Sequence, residues 1–410
     1  MSWVSCQRGS SADLPPVIVV SESEYVEREA ERRRTDNPNR TAEDDAKEVG
    51  WNRGLAQFKL APESYDRDME QALQLETLGA VYEPKTRSVV VIDRGRPLND
   101  ARAVELLVHE LVHALQDASV GFEKFYEKWA YTFDASLAVS GLIEGEALHY
   151  QLLANVTLRG QNPGDVDWQA FYDDYRSQVQ READADAYPM TMASRRFPYA
   201  FGGAVVTQTW LKHGRPGIDA LFDAPPVSTQ ALLFDDDGVD RTAAVKDVRA
   251  RGVPDLGDAY EVQGYATLGS WMARMYGARM SLSASKAWKL AESLVADVLS
   301  VQRDRATGRS VAAWHVINRP GVSMQEWPGP DALSHVNAFY PPGAEEVFMI
   351  ADDSGHPPLA SDLEWGPVEE QSMPPSTAAP ARALDRIVSA APLLCPDDVP
   401  DLGAYLLSRD

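Results

Sequence analysis

The stretch His109-Glu110-Leu111-Val112-His113 lies in an apolar, helix-forming run, residues 101–116, that contains neither glycine nor proline. Residues four apart share one face of a helix, so His109 and His113 would point the same way and could bind one metal ion. Glu110 would then lean over the open coordination position of that ion. In this H-E-x-x-H pattern two imidazoles bind zinc and the glutamate acts as a general base. The stretch therefore predicts a helix that carries a metal site.

A chance match is the alternative, because the pattern fixes only three positions in five. In that case the stretch is a core helix with two partly buried histidines. The chain has only seven histidines, and two of them fall at this spacing in its most apolar helix. That placement favours the metal site, which in turn requires a third ligand.

Glu144 is the predicted third ligand. It lies on a second predicted helix, residues 129–158, and the chain after His113 is long enough for a loop and a returning helix. Two histidines and one glutamate with an open position form a ligand set of catalytic zinc sites. Glu146 is the alternative ligand, since residues two apart do not share a helix face and only one of the two acids can point at the ion.

Taken together, residues 109–117 and 142–147 resemble the gluzincin branch of zinc metallopeptidases. They are similar, more closely, to a group of bacterial and archaeal metallopeptidases that are often secreted or lipid-anchored. Further similarities extend the resemblance over roughly residues 60–320, and they lie at residues 82–86, 197–199, 225–230 and 295–314. The resemblance implies that His109, His113 and Glu144 bind one Zn²⁺ per chain and that Glu110 is the catalytic acid and base.

The expected fold class is α+β, mainly α with small β-hairpins, in a zincin-like core where the motif helix packs on the helix of Glu144. The expected function is hydrolysis of peptide bonds in a peptide or protein substrate. Tyr199, beside Pro198 and the pair Gly202-Gly203, is the preferred donor to the oxyanion. The other candidates for that role are His213, Tyr265, Arg195 and Arg196.

Two further residue sets bear on this site. Asp117, one turn after His113, could accept a hydrogen bond from a ligand imidazole and fix its tautomer. The strand at residues 89–92 could pair with an extended peptide if one of its edges is open. The competing function is a non-catalytic, zinc-stabilised surface lipoprotein that acts as a binding or structural module. Glu110 argues against it, because a structural site needs no base.

Charge and hydropathy limit the partners. The 410 residues carry 39 basic and 62 acidic side chains, a net charge of −23, which argues against nucleic acid or anionic lipid as the main partner. No apolar run is long enough for a transmembrane helix. The sequence gives no indication of an oligomeric state.

The termini define the predicted domain organisation. Residues 1–20 are expected to form a flexible tail in which Cys6 resembles the attachment site of a bacterial lipoprotein, although the basic and apolar segments of a signal peptide are missing. The cell envelope or the extracellular space is the expected location, or the cytoplasm if the given N-terminus is the true one. Residues 21–320 are expected to form the metallopeptidase domain, and residues 321–410 a C-terminal extension of unknown function with a proline-rich linker.

The pattern of apolar residues predicts helices at residues 62–78, 100–118, 129–158 and 381–391. It predicts one β-hairpin from residues 80–82 and 88–92, and a second from residues 295–303 and 310–317. Residues 298–302 could equally extend a helix from Lys286. Residues 235–258 are acidic and are expected to form a loop.

Overall fold

The computed structural model describes residues 2–10, 12–76, 78–95, 100–234, 238–320, 327, 336–341, 345–352 and 357–367. The fold is mainly helical with several small sheets, so the predicted α+β class is confirmed. The helices are α1 Ser2–Arg8, α2 Glu22–Asp36, α3 Ala42–Gln57, α4 Arg67–Glu76, α5 Asp100–Val120, α6 Phe122–Trp129, α7 Phe133–Leu158, α8 Trp168–Ala185, α9 Pro189–Phe197, α10 Gly203–Asp223, α11 Thr229–Leu233, α12 Arg241–Arg249, α13 Gly269–Arg279 and α14 Ala284–Ser293. The strands are β1 Val17–Ser21, β2 Ala80–Glu83, β3 Ser88–Asp93, β4 Val253–Pro254, β5 Tyr260–Ala266, β6 Leu294–Asp304, β7 Ser310–Asn318, β8 Val336–Phe339, β9 Glu346–Asp352 and β10 Trp365–Gly366. Short 3₁₀ turns lie at Pro163–Asp165 and Ala360–Asp362, and a π-helical turn, Pro198–Gly202, joins α9 to α10.

Helices α5 and α7 pack against each other and carry the two halves of the predicted metal site. Helix α5 forms where the sequence predicts it, and its apolar face is buried with that of α7 in one cluster. Helix α7 begins after Thr132, whose hydroxyl accepts a hydrogen bond from the backbone N–H of Ala135. This cap separates α7 from α6, so the single helix predicted at residues 129–158 begins four residues later than expected.

A glycine contact holds α7 against the π-helical turn. Gly141 and Gly145 lie one turn apart on α7 and face Gly202. A Cβ atom on Gly202 would lie 1.9 Å from the Gly141 carbonyl oxygen, and one on Gly145 would lie 2.5 Å from the Gly202 carbonyl carbon. Only glycine allows these backbones to approach so closely. The contact places Tyr199, on the same turn, beside Glu144.

The first hairpin lies beside α5. Strands β2 and β3 pair antiparallel as the sequence predicts, and β1 adds to the other edge of β3 in parallel. The Tyr82 hydroxyl on β2 donates a 2.9 Å hydrogen bond to Asp117 on α5. Because β1 and β2 cover both edges of β3, the open edge that peptide pairing along residues 89–92 would require is not present.

The second hairpin forms the centre of a five-stranded antiparallel sheet in the order β5-β6-β7-β9-β8. Strands β6 and β7 confirm the predicted hairpin. Asp297 on β6 accepts hydrogen bonds from the backbone N–H groups of Leu268 and Gly269 at the start of α13. Strand β9 pairs with β7 over residues 346–352, so this sheet extends beyond the domain boundary predicted at residue 320.

The described residues of the predicted flexible tail, 2–10 and 12–20, are instead held by burial and by strand pairing. Val4 on α1 is 1% exposed and joins the apolar cluster between α5 and α7. Strand β1 pairs with β3 from Val17 to Ser21. Cys6 lies half-buried in α1 rather than on a free tether. Lipid attachment at Cys6 remains a prediction.

Other boundaries differ where local signals were missed. Residues 235–258 were expected to be a loop, but α12 begins after Asp240, whose side chain caps it, and buries Val245 and Val248. The predicted helix at residues 62–78 is limited to Arg67–Glu76. The helix predicted at 381–391 and most of the proline-rich linker lie outside the described residues. Within the described ranges, no helix has the length and apolar character needed to cross a bilayer.

Replacing Gly202 by alanine tests the glycine contact. We expect Gly202→Ala to lower the free energy of unfolding by about 1–3 kcal/mol or more, because the added methyl group overlaps the backbone of α7. Gly164→Ala is the matched control, since a Cβ there meets its nearest neighbour at an ordinary 3.5 Å. Urea denaturation of the three proteins measures the effect. Equal midpoints for Gly202→Ala and wild type would contradict the close packing.

Candidate metal centre

The side chains of His109, His113 and Glu144 converge between α5 and α7, as the sequence predicts. The Nε2 atoms of the two histidines lie 3.1 Å apart, and Glu144 Oε2 lies 3.1 Å from His109 Nε2 and 3.4 Å from His113 Nε2. Both histidines are buried and Glu144 is half-buried. In the part of the chain that the structure describes, this is the group of histidine, cysteine and acidic residues that could hold a metal ion.

The spacing of the three atoms fits a small divalent metal ion. Bond lengths of about 2.0–2.1 Å and tetrahedral angles place zinc ligands about 3.3 Å apart, close to the observed 3.1–3.4 Å. The two imidazole nitrogens are so close that they repel each other when both carry a proton. The arrangement becomes favourable when a third group lies between them and bonds to both. The donor set therefore suits a cation, with a fourth position left for another ligand.

The charges of the group are coupled. Burial lowers the pKa of the His113 imidazole, but the carboxylates of Glu144 and Glu110 outweigh burial and raise this pKa to about 9. Burial would raise the pKa of Glu144, yet the His113 and His109 rings hold it well below its usual range. Glu144 thus keeps its negative charge, and His113 binds a proton on the side where a metal ion would lie.

Glu110 follows His109 on α5 and is 5% exposed. Its negative charge contributes to the raised pKa values of His113 and Tyr199, so Glu110 belongs to the same centre. Among the described residues, none forms a hydrogen bond with its carboxylate. A buried carboxylate without a protein partner is uncommon. Its oxygens are therefore available to water or to a bound molecule.

Tyr199, the preferred oxyanion donor, also lies at the centre. Its ring stacks on that of His109, with 5.8 Å between the centroids and 21° between the planes. Its hydroxyl donates a hydrogen bond to Glu144. Burial, followed by the charge of Glu144, raises the pKa of Tyr199 well above its usual value, so the phenol keeps its proton.

The other candidate donors to the oxyanion make contacts with other parts of the fold. Arg195 donates to the Leu73 carbonyl, and Arg196 pairs with Glu182 at 3.7 Å. Tyr265 packs against the apolar cluster around α12 and β6. His213 lies on α10, beside Gly217. Of the five residues considered from the sequence, Tyr199 is the one whose contacts place it at the group of His109, His113 and Glu144, hereafter the metal group.

Residues behind His113 hold its ring. The Nδ1 atom of His113 lies 2.8 Å from Gln116 Oε1, and Gln116 Nε2 donates to the Ile143 carbonyl oxygen and to Glu146. Glu146 in turn pairs with Arg8 at 2.9 Å. Ligands of a metal are commonly oriented by such neighbours.

These contacts correct two sequence expectations. Asp117 does not contact a ligand histidine; it accepts hydrogen bonds from Tyr82 and from the backbone of Phe122. Glu146, the alternative to Glu144, is outside the group that converges with the histidines and pairs with Arg8 instead. Gln116 was missed, although its position three residues after His113 on one helix face was a usable signal. Arg8 had no such signal, because its partner lies far away in the sequence.

Metal affinity should depend on pH through His113. The ion binds the deprotonated imidazole, so a pKa of about 9 means that a proton competes with it below pH 9. We expect the affinity for Zn²⁺ to rise about tenfold per pH unit towards pH 9 and then to level off. Calorimetric titration in buffers of different ionisation enthalpy measures both the affinity and the released proton. His113→Ala is the control and should abolish tight binding, and a pH-independent wild-type affinity would contradict the coupling.

Comparisons of this chain with protein-family models, with curated proteins and with solved structures find no match. The case for a metal centre therefore depends on the geometry of His109, His113 and Glu144 in this chain. Its ion and its chemistry are inferred from the donor set and from the neighbouring Glu110 and Tyr199.

Proposed function

We propose that the chain is a zinc-dependent peptidase. The observation that carries this proposal is the presence of Glu110, buried and without a protein hydrogen-bond partner among the described residues, beside a two-histidine, one-glutamate group. Zinc is the proposed ion because this ligand set, with an open fourth position, is one that catalytic zinc sites use. A purely structural zinc site would have all four positions filled and no need of a base.

A zinc ion held by His109, His113 and Glu144 would supply Lewis-acid activation of water and of a substrate carbonyl. Glu110 would accept the proton that the attacking water loses and then transfer it to the leaving amine. Its position next to His109 on α5 and its electrostatic effect on His113 support this role. The proton would thus move between groups within the centre.

Tyr199 would stabilise the negative charge that develops on the carbonyl oxygen. Its hydroxyl is already at the centre, where it donates to Glu144, and its raised pKa keeps the proton available for donation. Stacking on His109 limits the movement of the ring. A single donor of this kind contributes about 2.7–4 kcal/mol to transition-state stabilisation.

A surface cleft lined by residues of α7 and α8 is the proposed binding site for part of the substrate. It has a volume of about 530 Å³ and is open to solvent, and Leu148, Phe171 and Tyr175 line its apolar part. Its lining shares no residue with the group of His109, His113 and Glu144, and its link to that group is Leu148, which lies on α7 one helical turn after Glu144. A side chain of an extended peptide could occupy it while the scissile bond lies at the metal.

The non-catalytic surface lipoprotein remains the alternative function. It shares the metal site with the proposed peptidase and differs in having no use for Glu110 or Tyr199. The location in the cell envelope also remains a prediction of the sequence. Variants of these two residues therefore separate the two functions.

Glu110→Gln should keep the metal and lose the reaction. The amide has nearly the same shape but cannot accept the proton, so we expect cleavage of a broad peptide library to fall about 10²–10⁴-fold. Mass spectrometry of the library gives the cleavage rates, and metal analysis gives the zinc content. Near-zero cleavage by both proteins, with zinc present in both, would favour the non-catalytic module.

Tyr199→Phe should reduce turnover without releasing zinc. Removing one oxyanion donor lowers kcat by about 10²–10³-fold, and KM should change little because the ring remains. Phe171→Leu, in the cleft but away from the metal ligands, is the comparison and should change KM more than kcat. Unchanged kcat in Tyr199→Phe would assign the hydroxyl a structural role.

A further inference from the structure

We infer that Arg8, on the N-terminal helix α1, positions the metal ligand His113 through a chain of three buried hydrogen bonds. The chain runs from Arg8 Nε to Glu146 Oε1 at 2.9 Å, from Gln116 Nε2 to Glu146 Oε2 at 2.8 Å, and from His113 Nδ1 to Gln116 Oε1 at 2.8 Å. It connects α1, α7 and α5. Arg8 is a positioning residue, since it does not touch the metal group itself.

The orientation of the Gln116 amide is fixed by its neighbours. Its Nε2 atom lies 2.9 Å from the Ile143 carbonyl oxygen and 2.8 Å from a Glu146 oxygen, and both of these atoms can only accept. The amide oxygen must therefore face His113 and accept from Nδ1–H. A proton on Nδ1 leaves the lone pair of Nε2 directed at the metal group, so the amide selects the ligating tautomer.

Glu146 can hold the amide only while Arg8 is present. The Glu146 side chain is 1% exposed and the Arg8 side chain 6%, so each is nearly removed from water. A buried carboxylate without its partner is strongly destabilised and would turn towards solvent. That movement removes the acceptor that fixes the Gln116 amide.

Helix α1 is anchored so that Arg8 stays in place. Val4 is buried against α5 and α7, and Arg8 also donates to Ser10 and to the Leu115 carbonyl oxygen, at 3.0 and 3.4 Å. The guanidinium lies 5.8 Å from the ring centroid of Phe222. The N-terminal segment is thus part of the support of the metal centre.

This inference rests on metal binding by the proposed centre but not on peptidase activity. The experiment is a double-mutant cycle on Zn²⁺ affinity, measured by competition with a chromophoric chelator. We expect Arg8→Met and Gln116→Leu each to weaken Zn²⁺ binding about 10–100-fold. The double variant should bind no more weakly than Gln116→Leu alone, because Arg8 acts through the amide.

Arg274→Met is the matched control, since Arg274 is 3% exposed and pairs with Asp184 in a part of the chain that does not contact the metal group. It should lower the unfolding midpoint while leaving the Zn²⁺ affinity unchanged. In the Zn²⁺-loaded protein, the Nδ1–H proton of His113 should be slow to exchange by NMR and should exchange faster in Gln116→Leu and in Arg8→Met.

Wild-type Zn²⁺ affinity in folded Arg8→Met would overturn the inference, as would losses that add in the double variant or an equal loss in Arg274→Met. If Arg8→Met does not fold, Glu146→Leu, which removes the acceptor for the Gln116 amide, takes its place in the cycle with the same expected non-additivity. Failure of the wild-type protein to bind Zn²⁺ would instead overturn the proposed function, so the two failures are distinguishable.

Discussion

The candidate metal centre depends on the contact between glycine backbones on α7 and on the π-helical turn before α10. Gly145 and Gly202 leave no room for a Cβ atom against the facing backbone, so the two elements meet at backbone distance. Glu144 lies between the two glycines of α7, and Tyr199 lies on the facing turn. Backbone packing therefore sets the position of Glu144 relative to Tyr199. The side chains themselves contribute less to this placement.

Another part of the centre is held by a chain of buried polar and charged side chains. His113 is fixed through Gln116 and Glu146 by Arg8, and each of these groups is nearly inaccessible to water. Buried charges are stabilising only when they are paired, so this side tolerates little change in any single member. The metal group is thus supported by two kinds of contact. At the glycine contact a larger residue does not fit, and in the buried hydrogen-bond chain the loss of one member leaves a charge or polar group unpaired. Glu110, with no protein partner among the described residues, is the exception that the proposed chemistry needs.

Local signals in the sequence were enough to predict the α+β class, the motif helix, both hairpins and the pairing of His109 with His113 on one helix face. Each of these depends on a periodicity or on a spacing along one element. The structured N-terminus, the sheet that continues past residue 320 and the contact of Arg8 with Glu146 could not be predicted in this way. They depend on pairing between distant segments, and a short polar segment such as residues 2–10 carries no pattern that identifies its partner. The sequence also offered two acids near α7, and only packing shows that one faces the histidines and the other faces away.

The pairing of Arg8 with Glu146 has a consequence for synthesis on the ribosome. The two residues are 138 positions apart, and at roughly 5–20 residues per second Arg8 is made about 7–28 s before its partner. Helix α1 has seven residues, too few to be stable alone in water. During this interval the segment that forms α1 is without the partner that holds Arg8. Docking of α1 therefore has to wait until α7 has been made.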